Sequence, residues 1–572
     1  MLGASVFAQG NLGNIQLEVT RAFEGQVQQP RKINDLPRIN DTIRSEVQLD
    51  YQIRPRSVFT NFSPEPLAPA RIRRVTADKL PKLMVGIGAG NFFTSMADIS
   101  FNSDRSRDQA WGMKFRHFST HTGVPDLVFS EGDNASQFPN FLSENRLSGH
   151  YRRFLRNYTL TTRAEGFYDA VNYYGVPLID GLNNELIFGD VGRQQYLGTK
   201  AEIDFESQRS KSDSWFDQGT VSYHYIQDAF GSRENWLNVP TRWSFPVDDI
   251  LANIDLRTTF LQARSDTNAL DAQYLNVHLN PHVEYLRDNL ALNIGAHFIF
   301  NDNSVVYRGD EEKVNRFIPR PNVTGRLTVV PNVMEVFGGF DYDFRMNNTL
   351  DLTREVPWLN PGVLIRPTRK SEGFFGTSFL FMSGLNVELK AQYIFWGDRA
   401  LIYRDPSFAT DVNGLQGLQV RYLDGTELGL NGRIRYQVND DLRLGMNIAY
   451  SRYENFTYRG EATAPFHLAP WRGGFDAHYM FRKKIGLQAK LVYIGSREAF
   501  DPRLLDNNAQ NPLGVNPILD AFWDMDMSID FYFNDNLTAF LRVHNAFASR
   551  YDLYLGYGAQ RFLTLAGFSF RL

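Results

Sequence analysis

Apolar and acidic residues alternate along FWDMDMSIDFYFNDNL, at positions 522 to 537 of the chain. Side chains of a β-strand point to opposite faces with a period of two, whereas a helix would spread these acids around its circumference. One face carries Trp523, Met525, Met527, Ile529, Phe531 and Phe533, and the other carries Asp524, Asp526, Ser528, Asp530 and Tyr532. A turn at 534–536 follows and the alternation resumes, which predicts a β-hairpin with one apolar face. That face meets either a protein core or lipid.

Similar short turns recur along the chain between segments that alternate in the same way. Together with the turn at 534–536, they lie near 103–107, 156–159, 210–213, 247–249, 287–290, 331–332, 383–384, 439–441 and 483–484. Longer polar connections join the opposite strand ends, at 171–189, 347–367, 397–417, 458–470 and 499–519. Ten turns plus an opening pair near 83–101 predict about 22 strands. Short turns at one end and long loops at the other are typical of outer-membrane barrels.

The last strand of the chain, in FLTLAGFSFRL, also has an apolar parity, which includes Phe568 and Phe570. Aromatic residues near strand ends are typical of the girdles at a membrane interface. They are Trp111, Tyr158, Trp215, Trp523, Tyr551, Tyr554 and Tyr557. A soluble closed β-fold offers no reason for the segregation of loop lengths. The sequence therefore predicts an all-β protein, a transmembrane antiparallel β-barrel over residues 81–572 with short periplasmic turns and long extracellular loops.

Composition is compatible with this fold. The 572 residues are 43% hydrophobic and 14% aromatic, and no run of about 18 apolar residues offers a transmembrane helix. A barrel exposes only alternate residues to lipid, so its average composition resembles that of a soluble protein. The net charge of −4 argues against a nucleic-acid partner. The absence of cysteine excludes disulfides, thiolate catalysis and cysteine-ligated zinc.

The sequence contains no pattern that predicts an enzyme, a metal site or a cofactor. Its histidines are scattered, and the closest pair considered, His117 and His121, would lie roughly 13 Å apart on one strand. The glycine-rich GIGAGN at 86–91 lacks the lysine and helix of a phosphate loop and belongs to the opening hairpin. Neighbouring acids on one strand lie about 7 Å apart and generally only solvate a lumen.

Charged residues on the polar parity of the strands are the candidates for contact with a ligand in a water-filled lumen. They are Glu388, Lys390, Arg433, Arg435, Asp524, Asp526, Asp530 and Arg542. In such a lumen, charge costs little free energy because water solvates it.

The C-terminal stretch HNAFASRYDLYLGYGAQRFLTLAGFSFRL resembles the last two strands of the TonB-dependent receptors of Gram-negative outer membranes. An Asn-Ala-Phe segment, an aromatic loop and a closing strand that ends in Phe-x-Phe-x-Leu carry the resemblance. It covers residues 80–572 and implies a receptor or transporter barrel. In that family, a folded plug domain of more than a hundred residues precedes the barrel and fills it.

The N-terminal region is shorter than such a plug. Residues 1–8 resemble the end of a signal peptide, with an ordinary flexible start as the alternative. Residues 9–80 are rich in Pro and Arg, which predicts an extended periplasmic or lumen-filling segment. Its basic residues, which would pair with lumenal acids or form a solvated tail, are Arg54, Arg56, Arg71, Arg73 and Arg74. Ile15, Leu17 and Val19 fit a degenerate TonB box, the energy-coupling segment of the family.

A barrel this wide requires a filling, since an open lumen would leak. Three fillings fit the sequence: the N-terminal segment, long loops folded inward, or a partner. Two functions remain open at this stage. The first is a plug-less receptor or transporter for an unidentified ligand, in which coupling to TonB is in question. The second is a non-transporting scaffold subunit of an outer-membrane complex, whose partner is a surface lipoprotein or another barrel.

Overall fold

The structure is a computed structural model that describes residues 81–104, 106–125, 137–173, 193–208, 215–248, 250–381, 384–404, 417–500 and 516–572. These residues form a closed antiparallel barrel of 22 strands. The predicted signal-peptide remnant, TonB box and basic segment lie outside the described residues.

The strands of the first half are β1 (Leu83–Gly90), β2 (Ser95–Asn102), β3 (Gln109–Pro125), β4 (Gln137–Phe154), β5 (Tyr158–Asn172), β6 (Arg193–Ser207), β7 (Phe216–Asp228), β8 (Arg233–Val247), β9 (Ile250–Ser265), β10 (Leu270–Arg287), β11 (Leu290–Tyr307), β12 (Asp310–Val330) and β13 (Met334–Arg345). The helix α1 (Thr349–Glu355) follows β13. The second half contains β14 (Thr368–Phe381), β15 (Leu385–Arg404), β16 (Leu418–Gln437), β17 (Leu442–Tyr458), β18 (Glu461–Ala462), β19 (Trp471–Phe481), β20 (Ile485–Ile494), β21 (Arg497–Glu498), β22 (Ile518–Leu519), β23 (Phe522–Tyr532), β24 (Leu537–His544), β25 (Asp552–Tyr554), β26 (Tyr557–Gly558) and β27 (Leu563–Arg571).

The first and last strands close the sheet. β1 pairs with β2 on one side and with β27 on the other, where Met84 lies opposite Arg571 and Gly90 opposite Leu565. The two-residue strand β18 extends the β17 edge, while β21–β22 and β25–β26 form small separate pairs. Closure gives the backbone of the first and last strands hydrogen-bond partners, which a bilayer requires. Among the described residues, no helix is long and apolar enough to cross a membrane.

The predicted turns that the structure describes join strands at one end of the barrel, which we call the turn end, and the predicted turn at 210–213 lies outside the described residues. Both the start of β1 and the end of β27 lie there, since these strands are antiparallel neighbours. At the opposite end, the loop end, the connections 346–367, 459–470 and 545–562 are long, whereas 91–94, 229–232, 266–269 and 308–309 are short. The predicted strand number and the loop asymmetry are confirmed, and the opening hairpin turns at 91–94.

The barrel is apolar outside and charged inside. On β23, Met527 is 39% exposed, whereas Asp524 is 3% and Asp530 0% exposed. Large apolar side chains such as Phe568 and Phe570 on β27 are likewise exposed on the outer face. A soluble protein has the opposite distribution, so the outer face is the one that contacts lipid. This confirms the predicted parity of the hairpin at 522–537.

We predict that a charge on the outer face will strongly destabilise the folded barrel. Ile448 lies near the middle of the membrane-spanning part of β17 and is 45% exposed. Ile448→Arg should lower the free energy of unfolding by about 2–4 kcal/mol, since arginine is costly at the bilayer midplane. Urea-induced unfolding in lipid vesicles measures this difference. Ile448→Leu is the control and should unfold at the same urea concentration as the wild type. If Ile448→Arg is as stable as Ile448→Leu, this face does not contact lipid.

Candidate functional site

The connection between β13 and β14, residues 346–367, folds into the barrel, and we call it the crossing loop. Its helix α1 begins after Asn348, whose side-chain oxygen accepts a hydrogen bond of 2.8 Å from the Asp351 backbone N–H. Asp351 in the first turn and Arg354 in the last turn match the helix dipole. The sequence therefore specifies a short capped helix inside a long loop.

The crossing loop is bound to strands around much of the wall. Glu234 on β8 accepts hydrogen bonds from the Thr349 backbone N–H at 2.8 Å and from its hydroxyl at 2.6 Å. Arg354 donates to Glu165 on β5 at 2.7 Å. Side chains of the wall also donate to backbone carbonyls of the loop: Tyr173 to Leu359 at 2.6 Å, Tyr196 to Pro357 at 3.1 Å, Asn268 to Pro361 at 2.6 Å and Tyr422 to Leu364 at 3.1 Å. Residues 358–360 also exchange backbone hydrogen bonds with Leu418 on β16.

A second segment, residues 545–562 between β24 and β27, meets the crossing loop inside the barrel, and we call it the tyrosine loop. Tyr557 packs against Trp358 with ring centroids 5.5 Å apart, and Tyr551 stacks on Phe522 of β23 at 3.8 Å. Residues of both loops and of facing wall strands form one buried apolar cluster. The prediction that Tyr551, Tyr554 and Tyr557 belong to an interfacial girdle is wrong, because these rings are buried in that cluster. Of the three predicted fillings, the described residues show inward-folded loops.

Two buried side chains hold the tyrosine loop against neighbouring loops. Arg497 on β21 donates to the backbone carbonyls of Asp552 and Leu553. His467 donates from Nδ1 to the Ile402 carbonyl at 2.9 Å, and its Nε2 accepts from the Leu555 backbone N–H at 3.4 Å. Burial, together with the nearby charge of Arg497, lowers the pKa of His467 to about 3. His467 is therefore neutral in the docked loop.

The predicted lumenal residues fall into two groups on different parts of the wall. The first group lies on β15 and β16, where Glu388 is the direct cross-strand partner of Arg433. Lys390 forms an ion pair with Glu372 of β14, and Arg435 is exposed. Three strands separate this group from the second, which corresponds to about 19 Å along the wall. The eight candidates therefore do not form one site.

The second group lies on β23 and β24. The sequence analysis expected these side chains in open water, but the structure buries several of them. Asp530 Oδ1 lies 2.7 Å from Arg542 Nη2, and both side chains are almost fully buried. Asp524 accepts a hydrogen bond of 2.9 Å from Tyr551, and Asp526 lies 3.1 Å from His544 Nδ1. Charge at this part of the lumen is compensated by partners rather than by solvent.

Sequence reasoning missed a buried acid with several hydrogen-bond partners, Glu427 on β16. Its carboxylate accepts hydrogen bonds from Trp396 at 2.9 Å, Arg399 at 3.0 Å and Ser451 at 2.8 Å. Glu427 has the same parity as Arg433, so the alternation of residues places its side chain in the lumen. Its partners lie on β15 and β17, and the alternation within β16 cannot identify them. Within the described ranges, no group of three or more His, Asp or Glu side chains forms a ready-made metal cage.

We predict that Asp530→Asn will destabilise the barrel by about 3–5 kcal/mol, because it leaves the Arg542 guanidinium buried without its ion-pair partner. Urea unfolding in detergent micelles measures the effect. The double variant Asp530→Leu with Arg542→Met removes both charges and should recover most of the loss.

A matched control is the exposed pair of Arg452 and Glu454, which lie 2.6 Å apart. Arg452→Gln should change stability by no more than about 1 kcal/mol. A similar small effect for Asp530→Asn would show that the Asp530–Arg542 pair does not stabilise the fold.

We also predict that acid loosens the tyrosine loop through His467. An undocked histidine has a pKa of about 6.5, so the undocked state binds more protons once the pH falls below that value. Neutral His467 therefore stabilises the docked loop fully above about pH 6.5. This stabilisation decreases as the pH falls towards 3, by at most about 1.4 kcal/mol for each pH unit. Hydrogen exchange of the backbone amides of residues 552–558, corrected for intrinsic rates, should show protection that falls with pH.

His467→Asn retains a donor for the Ile402 carbonyl but does not titrate, so its protection should be independent of pH. His478→Asn changes an exposed histidine of β19 and should behave like the wild type. A pH response that persists in His467→Asn would assign the effect to another group.

Comparison with solved structures places this geometry among known barrels. The ferric-catecholate import receptor Fiu of E. coli K12 matches with a TM-score of 0.63 and 10% identity, over 86% of this chain and 82% of that one. The iron transporter FrpB of Neisseria meningitidis matches with a TM-score of 0.65 and 8% identity, over 87% of this chain and 82% of that one. The copper transporter OprC matches with a TM-score of 0.60 and 11% identity, over 86% of this chain and 80% of that one. Comparisons with family models and with curated proteins found no match. The chain has the barrel fold of the TonB-dependent receptors, with an apolar outer face of the kind that contacts lipid.

Proposed function

We propose that the protein is an outer-membrane receptor that admits a ligand through its own barrel, with the crossing loop and the tyrosine loop as the closure of the lumen. In barrels of this class, the end with short turns faces the periplasm, so the closure lies towards the outside of the cell. The ligand would enter from that side. The protein would act by binding and passage, without an enzymatic step.

The observation that carries this proposal is the way in which the closure is held. The crossing loop is attached by side-chain hydrogen bonds to β5, β6, β8 and β16 and to the connection between β9 and β10, and by backbone hydrogen bonds to Leu418. Each such bond contributes only about 0.5–1.5 kcal/mol, and both partners can be hydrated in an open lumen. The crossing loop also contributes Leu350, Leu352, Val356, Trp358, Leu359 and Val363 to the buried apolar cluster, so a ligand that displaces the loop must compensate for the loss of that contact. The solved transporters of the same fold support the proposal.

The position of the loop in the wall permits a clean test. Arg345 and Thr368, which flank the crossing loop, are direct cross-strand partners of β13 and β14. Residues 346–367 can therefore be replaced by Asn-Gly, which forms a two-residue hairpin turn between antiparallel strands. We predict that this variant will show large discrete single-channel conductance in planar lipid bilayers, whereas the wild type will remain closed.

A cross-link provides the matched control, because the natural chain has no cysteine. Leu359 and Leu418 form a β-bridge between the loop and the wall, a separation that suits a disulfide. Leu359→Cys with Leu418→Cys should remain closed when oxidised under any applied ligand or voltage. The wild type should be unaffected by the same oxidant.

The Asn-Gly replacement should also be made in a chain that lacks residues 9–80, so that this segment cannot hide an opened lumen. If both shortened barrels fold and remain impermeable, the receptor proposal fails and a sealed scaffold is the better description.

A further inference from the structure

The end of helix α1 places Arg354 against the lumenal face of β4 and β5. Its Nη2 lies 2.7 Å from Glu165 Oε1, and its guanidinium carbon lies over the Phe167 ring, 5.5 Å from the centroid. A carboxylate and the face of an aromatic ring both attract a cation. Glu144 and Asp169 lie beside these two residues on the same face of the sheet. We call the four wall residues the β5 niche.

The β5 niche holds more carboxylate than its direct ion pairs account for. Glu144 and Asp169 are cross-strand partners, so two carboxylates lie side by side. Asp169 lies 3.5 Å from Arg146. Glu144 is 7% exposed, and within the described ranges no hydrogen bond or ion pair reaches its carboxylate. The cations that face Glu144 are Arg146, Arg116 and Arg354, and of these only Arg354 belongs to the crossing loop.

The wall cation nearest to Glu165 in the sheet has a different partner. Lys200 is the direct cross-strand neighbour of Glu165, but its Nζ lies 3.7 Å from Glu202, which Arg163 also contacts. In the part of the chain that the structure describes, Arg354 is therefore the cation that forms an ion pair with Glu165.

The wall builds the β5 niche without a contribution from the crossing loop. Phe167 lies opposite Gly198 of β6, where any larger residue would clash with the ring. The ladder between β4 and β5 fixes the positions of Glu144 and Asp169. Movement of Arg354 away from the wall would thus leave the ring and the carboxylates in place.

We propose that the β5 niche is a binding site for a guanidinium group of the ligand, and that Arg354 occupies this site while the lumen is closed. The inference rests on the proposed function for the statement that a ligand displaces the crossing loop. A buried carboxylate that loses its partner keeps its desolvation penalty, so displacement of the loop requires a second cation in the place of Arg354. A ligand with a guanidinium group supplies that cation, whereas a neutral or anionic ligand leaves Glu165 unpaired. The niche therefore selects the ligand by charge.

The contacts favour a guanidinium group over a compact ammonium ion. A guanidinium is planar and weakly hydrated, so it can lie on an aromatic ring and still donate a hydrogen bond to a carboxylate in its own plane. An ammonium ion is a more strongly hydrated point charge. Arg354 shows that Phe167 and Glu165 can be contacted by one guanidinium at the same time.

The test uses the full chain in detergent micelles and methylguanidinium as the probe, with binding measured from the line width of its carbon-13 NMR signal. Arg354→Ala empties the β5 niche and should bind methylguanidinium saturably. The wild type should bind it at least about tenfold more weakly, because Arg354 occupies the site in most molecules. N-Methylurea, a neutral molecule of the same shape, should bind to neither protein. Circular dichroism and heat-modified gel mobility verify that each variant folds.

Two further changes in the Arg354→Ala background assign the binding to the niche. Glu165→Gln should abolish saturable binding, and Phe167→Leu should weaken it by about two- to fivefold. The matched control is Arg345→Ala, which removes an exposed arginine that pairs with Asp351 of the same helix and should bind the probe no better than the wild type.

The inference is overturned if Arg354→Ala does not bind methylguanidinium, if it binds N-methylurea equally well, or if binding survives Glu165→Gln. Equal affinity of the wild type and Arg354→Ala would also overturn it, since Arg354 would then not occupy the site. The barrel in which Asn-Gly replaces residues 346–367 lacks Arg354 and should bind the probe as Arg354→Ala does. If binding follows these expectations but that barrel shows no conductance, the niche stands and the transport proposal fails. If that barrel conducts and neither variant binds the probe, the transport proposal stands and the niche fails.

Discussion

The pairing of β1 with β27 is the contact on which the rest of the structure depends. In hydrocarbon, a backbone N–H or carbonyl without a partner costs several kcal/mol, and no water is present to supply one. A sheet of long strands therefore cannot leave an edge inside the bilayer. Closure through Met84–Arg571 and the neighbouring pairs removes that edge. The outer face is then free to be apolar, as Met527, Phe568 and Phe570 show.

Closure creates a second problem, because a wall of 22 strands surrounds a lumen too wide for its own side chains to fill. The crossing loop and the tyrosine loop solve it at the loop end by building a small apolar core of the kind found in soluble proteins. Deeper in the lumen the solution is polar. Asp530 with Arg542, and Glu427 with Trp396, Arg399 and Ser451, satisfy charges that have little contact with water.

The two kinds of filling differ in how easily they can be rearranged. A buried ion pair is costly to break, because each partner left alone keeps its desolvation penalty. The crossing loop is held by hydrogen bonds, which water can replace when the loop moves, and by its share of the apolar cluster, which carries no charge. The strands β23 and β24 thus form a fixed part of the wall, and the loops are the part that a ligand could displace.

Alternation with a period of two was enough to predict the strands, the described turns, the closed barrel and the face of residues such as Asp530 and Arg433. These features are local, since each depends on which neighbours in the chain share a face and on turn residues between strands. The same pattern could not show that Asp530 is buried against Arg542, or that Tyr551 and Tyr557 lie inside the mouth rather than at the interface. Burial in the lumen depends on which loops fold inward.

The contacts between distant segments were likewise decided only by the tertiary structure. His278, His297 and Asp341 are connected by hydrogen bonds although they lie on three different strands. They meet because β12 separates from β13, and β13 then lies within reach of β11. In a sheet, sequence order fixes the face of each side chain, whereas strand pairing and register fix its neighbours.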